Sequence, residues 1–345
     1  MYSILSIRHT LLSSCLLASC FSVSAEISLV DEETYQAELY GKAKILARYQ
    51  STSSQFKLTD DRSRIGVKGH WDLEQARLYS TFEVGTHLNT NADDLLSVRL
   101  FYAGLRTDSG RVDFGKQEAL IHNLDNYDFT NKLGGAAHIT RESLGNKRNE
   151  NTLSVRTDVE DWRLMAQYNF SRNVDQSVRL GVGSQSLKTK EKRINNGWST
   201  AAQYRNRDLD LQVRGALQVT TFENNARSTS VGITVVKKND LYGAPVWYAG
   251  TLGHYELDDN NEIGQVFAAG ASVKFQVHQG FNTYSTIENL TGSDVLSGGK
   301  ETSAALGLEF VGFENTKLYT EAQRSWFDEQ KTERWQVALG AHYQF

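Results

Sequence analysis

The chain has 345 residues, with 37 basic and 41 acidic side chains, a net charge of −4, two cysteines and one proline. This balance offers no electrostatic footprint for a nucleic acid, and a mean hydropathy of −0.47 leaves no run suited to a membrane helix. With 15 Tyr, 15 Phe and 6 Trp in so polar a chain, the composition fits strands that hide one face and wet the other.

The first element is a targeting segment. Arg8 and His9 precede an apolar run, Thr10 to Cys20, and Val23-Ser24-Ala25 places small residues before Glu26. Residues 1–25 therefore read as a secretory signal peptide, too short in its apolar part to span a bilayer. Leu17-Ala18-Ser19-Cys20 also fits a lipoprotein box with Cys20 acylated, an alternative the sequence leaves open. Cys15 and Cys20 are the only cysteines, so residues 26–345 form a disulfide-free exported chain, one unit more negative once Arg8 is gone. Closure of a sheet on itself would supply its stability.

From Leu39 the period is two. Leu39, Gly41, Ala43, Ile45, Ala47 and Tyr49 alternate with Tyr40, Lys42, Lys44, Leu46 and Arg48. Ala76 to Gly85 and Trp162 to Asn169 repeat the pattern. Such alternation marks strands with one apolar and one wet face. About sixteen such segments begin near Leu39, Arg64, Ala76, Val98, Arg111, Arg148, Trp162, Trp198, Leu209, Ser228, Val246, Gly264, Phe281, Thr302, Lys317 and Arg334. Short links such as Asp72-Leu73-Glu74, Asp108-Ser109-Gly110 and Glu314-Asn315-Thr316 alternate with long ones: Gln50 to Asp61, Thr86 to Ser97, Gln117 to Lys147 and Ser171 to Gly197. Outer-membrane barrels sort their loops in this way, with tight periplasmic turns and longer outer loops. The expectation is an all-β, antiparallel, up-and-down transmembrane barrel of 16 strands over residues 26–345, both ends periplasmic. The last strand, Arg334 to Phe345, carries Trp335, Val337, Leu339, Ala341, Tyr343 and Phe345 on its apolar face and should close the barrel against the first.

Several short motifs then occur in register: Glu38-Leu39-Tyr40-Gly41-Lys42, Ser63 to Gly69, Arg99 to Leu105, Val112-Asp113-Phe114-Gly115-Lys116, Leu133-Gly134-Gly135 and the aromatic terminus. By these the chain resembles the trimeric general diffusion porins of Gram-negative bacteria, such as those of enteric bacteria and vibrios. The first third and the last strand carry the resemblance; Ser171 to Gly299 shares only the pattern. The resemblance implies a homotrimer in the outer membrane, in contact with lipid and lipopolysaccharide. It implies Phe345 as a signal to the assembly machinery, no cofactor, and passive passage of ions and small hydrophilic solutes. It also implies that the third loop, about residues 117–147, folds inward and narrows the lumen.

On that loop the resemblance assigns an acidic edge to Asp128, with Asp125 and Glu118 adding to it, and a basic row to Lys42, Arg64, Arg99 and Arg148 on the facing wall. Parity agrees for the row, since each residue lies on its strand's polar face and would cost ~2–4 kcal/mol against lipid at mid-depth. Opposed charges across a narrow throat orient dipolar solutes and penalise apolar ones. Lys132 stands where the enteric pattern often has a glutamate, which weakens the acidic edge and predicts reduced cation preference or slight anion preference.

Other features read as structural. Tyr40, Trp71, Tyr102, Trp162, Trp198, Trp247, Tyr319 and Trp335 suit interfacial girdles. Asp258 to Glu262 is an acidic loop without the spacing of a calcium-binding hand. No nucleophile elbow, His-Glu-x-x-His or phosphate loop is present, and His70, His87, His122, His138 and His254 are scattered. Two rivals remain: a substrate-specific oligosaccharide porin, which needs an aromatic ladder in the lumen, and an outer-membrane hydrolase or adhesin with an occluded barrel.

Overall fold

A computed structural model describes residues 27–345 except 87–94 and 328–331; the side chains of 173–175 and 332 are also left aside. The signal peptide and its cleavage point lie outside the described residues, as does most of the Thr86 to Ser97 link.

In chain order the strands are β1 Ile27–Asp31, β2 Tyr35–Gln50, β3 Gln55–Asp60, β4 Arg64–Asp72, β5 Arg77–Thr86, β6 Leu96–Thr107, β7 Gly110–Glu118, β8 Arg148–Val159, β9 Trp162–Asn169, β10 Arg172–Val182, β11 Gln185–Asn206, β12 Leu211–Phe222, β13 Arg227–Leu241, β14 Ala244–Asp259, β15 Glu262–His278, β16 Phe281–Asp294, β17 Lys300–Phe313, β18 Thr316–Phe327 and β19 Thr332–Gln344. Sixteen of these form a closed antiparallel ring, because β19 pairs with β2 from Gln336↔Gln50 to Gln344↔Lys42. The other three are extensions. β3 continues the line of β4 along β2 past a break at residues 61–63, β10 continues β9 along β11, and β1 pairs with the start of β2 beside the chain end. There Gly41 N–H donates to Phe345 O at 2.7 Å and Phe345 N–H returns to Gly41 O at 3.0 Å. A Cβ on Gly41 would sit 2.5 Å from the Phe345 ring, so this seam admits only glycine. Closure removes the edges of the sixteen-strand ring, which would otherwise present unpaired backbone groups to hydrocarbon.

The two faces differ as the alternation requires. Outward side chains such as Phe101, Leu252, Leu306 and Leu339 are 61–65 % exposed, while inward Ser199, Gln218, Glu288 and Ser303 are 1–2 % exposed. A polar inside under an apolar outside is inverted relative to a water-soluble protein and calls for a hydrocarbon solvent around the wall.

Of the aromatics assigned to girdles, Trp71, Trp162, Trp198 and Trp335 do project outward, 42–54 % exposed. Tyr40, Tyr102 and Tyr319 instead face the lumen, and Trp247 lies beneath the ammonium groups of Lys238 and Lys274. The inward tyrosines have a shared logic. Tyr40, Tyr79 and Tyr284 each lie across a glycine on the next strand (Gly66, Gly104 and Gly307) and each donates its hydroxyl to a carboxylate one strand further on. The acceptors are Glu83, Asp113 and Glu321. The glycine lets the ring lie flat, and the ring shields the hydrogen bond. Tyr319 over Gly340 repeats the first half of the arrangement.

Candidate functional site

The strand positions above bring the four predicted basic residues onto one stretch of inner wall. Lys42 on β2 lies directly opposite Arg64 on β4. Between β4 and β6, Glu83 of β5 forms an ion pair with Arg64 at 3.3 Å, accepts a hydrogen bond from Arg99 Nε at 2.6 Å, and accepts one from the Tyr40 hydroxyl at 3.2 Å. Arg148 opens β8 opposite Glu118 and pairs through Nη2 with Glu142 at 2.6 Å. Glu83 thus ties two arginines of the row side by side. The β3–β4 break adds Asp61, held by Lys44 at 3.4 Å, where Asp60 Oδ1 accepts the Ser63 N–H at 3.0 Å and Arg62 takes a φ of 63°.

The segment between β7 and β8 crosses the inside of the barrel. It opens with a 3-10 helix, Leu120–Tyr127, whose Leu120, Ile121, Leu124 and Tyr127 are buried. That helix packs on the inner faces of β11 to β14. Arg214 Nη1 donates to Asn123 O at 2.8 Å, Thr234 Oγ1 donates to Leu124 O at 2.9 Å, and the Tyr127 hydroxyl donates to Glu288. Beyond it, the amides of Asn131, Lys132 and Leu133 converge on the Glu321 carboxylate, Lys132 at 3.0 Å and Leu133 at 2.8 Å, with the Tyr284 hydroxyl as a fourth donor. Leu133 then buries against Leu46, Tyr319 and Ala338. On the return, Ala137 N–H donates to Glu288 at 3.0 Å and Asn146 bonds Ser230 at 2.9 Å before Arg148 starts the next strand.

The predicted loop residues divide. Asp128 turns away from the basic wall: its carboxylate accepts Thr130 N–H at 3.0 Å, Thr130 Oγ1 at 2.9 Å and Thr286 Oγ1 at 3.1 Å. Burial and nearby Glu288 push its pKa up to about 7 despite those donors. Lys132 reaches across to Asp61 and shares that carboxylate with Lys44. Asp125 stays exposed to the lumen with the half-buried Glu118 near it; enclosure by the barrel and then Glu118 push Asp125 up to about 6. Facing the basic row are His122 and His138, stacked at 6.0 Å. Burial, then Lys147, Arg148, Arg99 and Arg62, lower His122 to about 4, and burial with His122 lowers His138 to about 3.

Sequence reasoning missed the wall acids that hold the segment, Glu288, Glu309 and Glu321, each 1–2 % exposed. Their position on polar strand faces was the available signal. It also took Ser171 to Gly197 for a plain link. That stretch is the β10–β11 hairpin, and it folds inward across the long-loop rim. Val178, Leu180, Val182, Leu187 and Ile194 bury against the inward Tyr255, Leu257, Val266 and Leu290, together with Ile139 and Leu144. Its tip reaches the backbone of Lys300, Lys192 pairs with Asp259, and Arg141 Nη1 donates to Arg179 O at 3.1 Å. The acidic stretch Asp258 to Glu262 therefore includes a hairpin anchor.

A family model described as Gram-negative porin matches residues 12–345. No curated protein matches the chain in a sequence search. Among solved structures, the trimer form of OmpT, an outer membrane protein of Vibrio cholerae, superposes with a TM-score of 0.70 at 15 % identity, covering 91 % of this chain and 100 % of that one. An anion-selective porin from Comamonas acidovorans gives 0.70 at 15 % identity over 90 % of this chain and all of its own. Salmonella typhi OmpF in complex with daunomycin gives 0.70 at 15 % over 92 % of this chain and all of its own.

Proposed function

The chain belongs to the Gram-negative porin family and is an outer-membrane diffusion channel, and from that premise we propose that its throat is the gap between segment 119–147 and the wall carrying Lys42, Arg64, Arg99 and Arg148. The observation that carries the reading is the asymmetry of the two sides. On the basic wall, Arg64 and Arg99 share the single carboxylate of Glu83, with Lys42 opposite Arg64 and Arg148 on Glu142. On the loop side Asp128 is turned into a backbone anchor, Lys132 is paired and Glu142 is bound to Arg148, leaving Glu118 and Asp125 as the acids beside the passage. A throat so biased passes anions at least as well as cations.

The protein works as a homotrimer with no catalytic chemistry of its own, its outer wall solvated by lipid and lipopolysaccharide and its Phe345 terminus read by the assembly machinery. Support for trimerisation is the trimer form of one similar barrel. Against an oligosaccharide ladder stands the use of Tyr40, Tyr79 and Tyr284, which lie on glycines with their hydroxyls bound to carboxylates. Planar-bilayer recording tests the proposal: ohmic conductance closing in three equal steps, unaffected by maltose-type sugars, is expected. A silent barrel or saturable sugar block would refute it.

A further inference from the structure

Between the loop helix and the short-turn rim, which faces the periplasm, lies a chamber of about 440 Å³. Its roof is Leu120, Asn123 and Leu124, and its wall carries Arg64, Arg111, Arg156, Arg163 and Arg214. None of the last four belongs to the throat row.

The strand register crowds these cations. Arg106, Arg111 and Arg156 stand directly opposite one another on β6, β7 and β8. Like charges in directly opposed positions destabilise a sheet. The acids meet them only in part: Glu83 and Glu118 also line the chamber, Glu83 already shared by Arg64 and Arg99; Asp125 lies near Arg214, Asp113 serves Arg111 at 3.0 Å, and one carboxylate, Asp158, is divided between Arg156 at 2.9 Å and Arg163 at 2.7 Å. Arg214 spends Nη1 on the Asn123 carbonyl, and its Nε is buried without a hydrogen-bond partner among the described residues. Beside the guanidinium groups lies an apolar surface of Leu100, Leu120, Leu124, Met165 and Ala201. Guanidinium forks match carboxylate and phosphate bidentately, and their weak hydration favours such pairing in a confined space.

We propose that this chamber is a second selectivity site, below the throat, that holds small organic anions bearing a carboxylate or phosphate on an aliphatic or aromatic body. The anionic head sits on Arg156, Arg163 and Arg214, and the body lies against Leu120, Leu124 and Met165. At roughly 30 Å³ per water, the chamber exchanges about fifteen waters for such a solute. The proposal deepens the channel reading and rests on it for its physiological meaning, but binding can be measured independently of conduction.

The experiment is calorimetric titration of the full-length, detergent-solubilised protein with phthalate, phenyl phosphate and inorganic phosphate, paired with chloride current in a bilayer with phthalate on the periplasmic side. The phthalate and phenyl phosphate arms distinguish carboxylate from phosphate heads. Saturable binding of either organic anion, at least tenfold tighter than inorganic phosphate, is expected, with saturable loss of current. Arg156→Gln with Asp158→Asn and Arg163→Gln, which removes the shared acid along with its partners, should weaken binding at least tenfold. Arg214→Gln alone should weaken it several-fold and carries the test should the triple variant not fold. No saturable binding, equal affinity for inorganic phosphate, or binding abolished by Arg99→Gln but untouched by Arg214→Gln would overturn the proposal. A barrel that binds phthalate but carries no current would overturn the channel reading instead.

Discussion

Glu321, on the inner wall of β18, accepts the backbone N–H of Leu133 at 2.8 Å, from a residue 188 positions earlier in the chain. With the amides of Asn131 and Lys132 it forms a backbone nest around one carboxylate, on the side of the barrel remote from the strands that the segment joins. Hydrogen bonds to a charged acceptor contribute about 1.5–3 kcal/mol each. Glu321→Ala should therefore release the middle of the segment while leaving the strand ladder intact. The expected outcome is noisier and larger single-channel current and faster amide exchange at 131–133. Unchanged exchange there would contradict the role given to this carboxylate.

The same anchor can be disturbed without touching it. A Cβ on Gly307 would lie 2.4 Å from the Tyr284 ring, which holds its hydroxyl 2.8 Å from Glu321. Gly307→Val should displace the ring, remove the fourth donor and lower the thermal transition by several degrees. A transition identical to the parent protein's would show that the ring finds another seat.

Docking of the segment should depend on pH from both ends. Asp128 keeps its proton in the docked state up to about 7, whereas its ordinary value is 3.8. The docked state therefore binds more protons in that interval, so this contribution is full below pH 3.8 and is lost as pH rises through 7. Asp125, pushed up to about 6, acts in the same direction. His122 and His138, lowered to about 4 and 3 from 6.5, bind fewer protons when docked, so docking weakens as pH falls below 6.5. Current noise measured against pH should show a minimum between the two limbs. Asp128→Asn should flatten the alkaline limb; a noise level independent of pH in the parent would refute both assignments.

The inward hairpin yields a separate expectation. Leu180 is fully buried in the cluster under the long-loop rim. An unpaired carboxylate there costs several kcal/mol, so Leu180→Asp should swing the hairpin out, expose it to protease and raise conductance. The barrel's melting should move little, since β9 pairs β11 from Tyr168↔Trp198 to Trp162↔Tyr204 without it. Loss of the strand signal on introducing this aspartate would contradict a dispensable roof.

Most of the barrel was legible because lipid and water impose opposite demands on successive side chains. Fifteen of the sixteen predicted starts fall within a few residues of a strand's start, as at Arg148, Trp162 and Phe281. The exception, Trp198, lies thirteen residues inside β11. Val178, Leu180 and Val182 already alternate, but the charges from Lys188 to Arg193 resemble a solvated link, and nothing local says that this hairpin turns inward. Parity placed Lys42, Arg64 and Arg99 on the inner wall because each belongs to a strand. It had no purchase on Asp128, whose direction depends on Thr130 and on Thr286, far away in the chain. The tyrosines misled for a related reason: a girdle and a glycine-seated lumen ring present the same residue at similar places, and only the facing glycine separates them.

The central claim is a water-filled throat whose charge is biased by the row from Lys42 to Arg148. Its most direct test is the zero-current potential of single channels in a tenfold KCl gradient. Measurable conductance, with a potential on the chloride side of zero that moves toward potassium in Arg99→Gln, is the result expected. A channel strongly selective for potassium, or a barrel that carries no current at all, would contradict it.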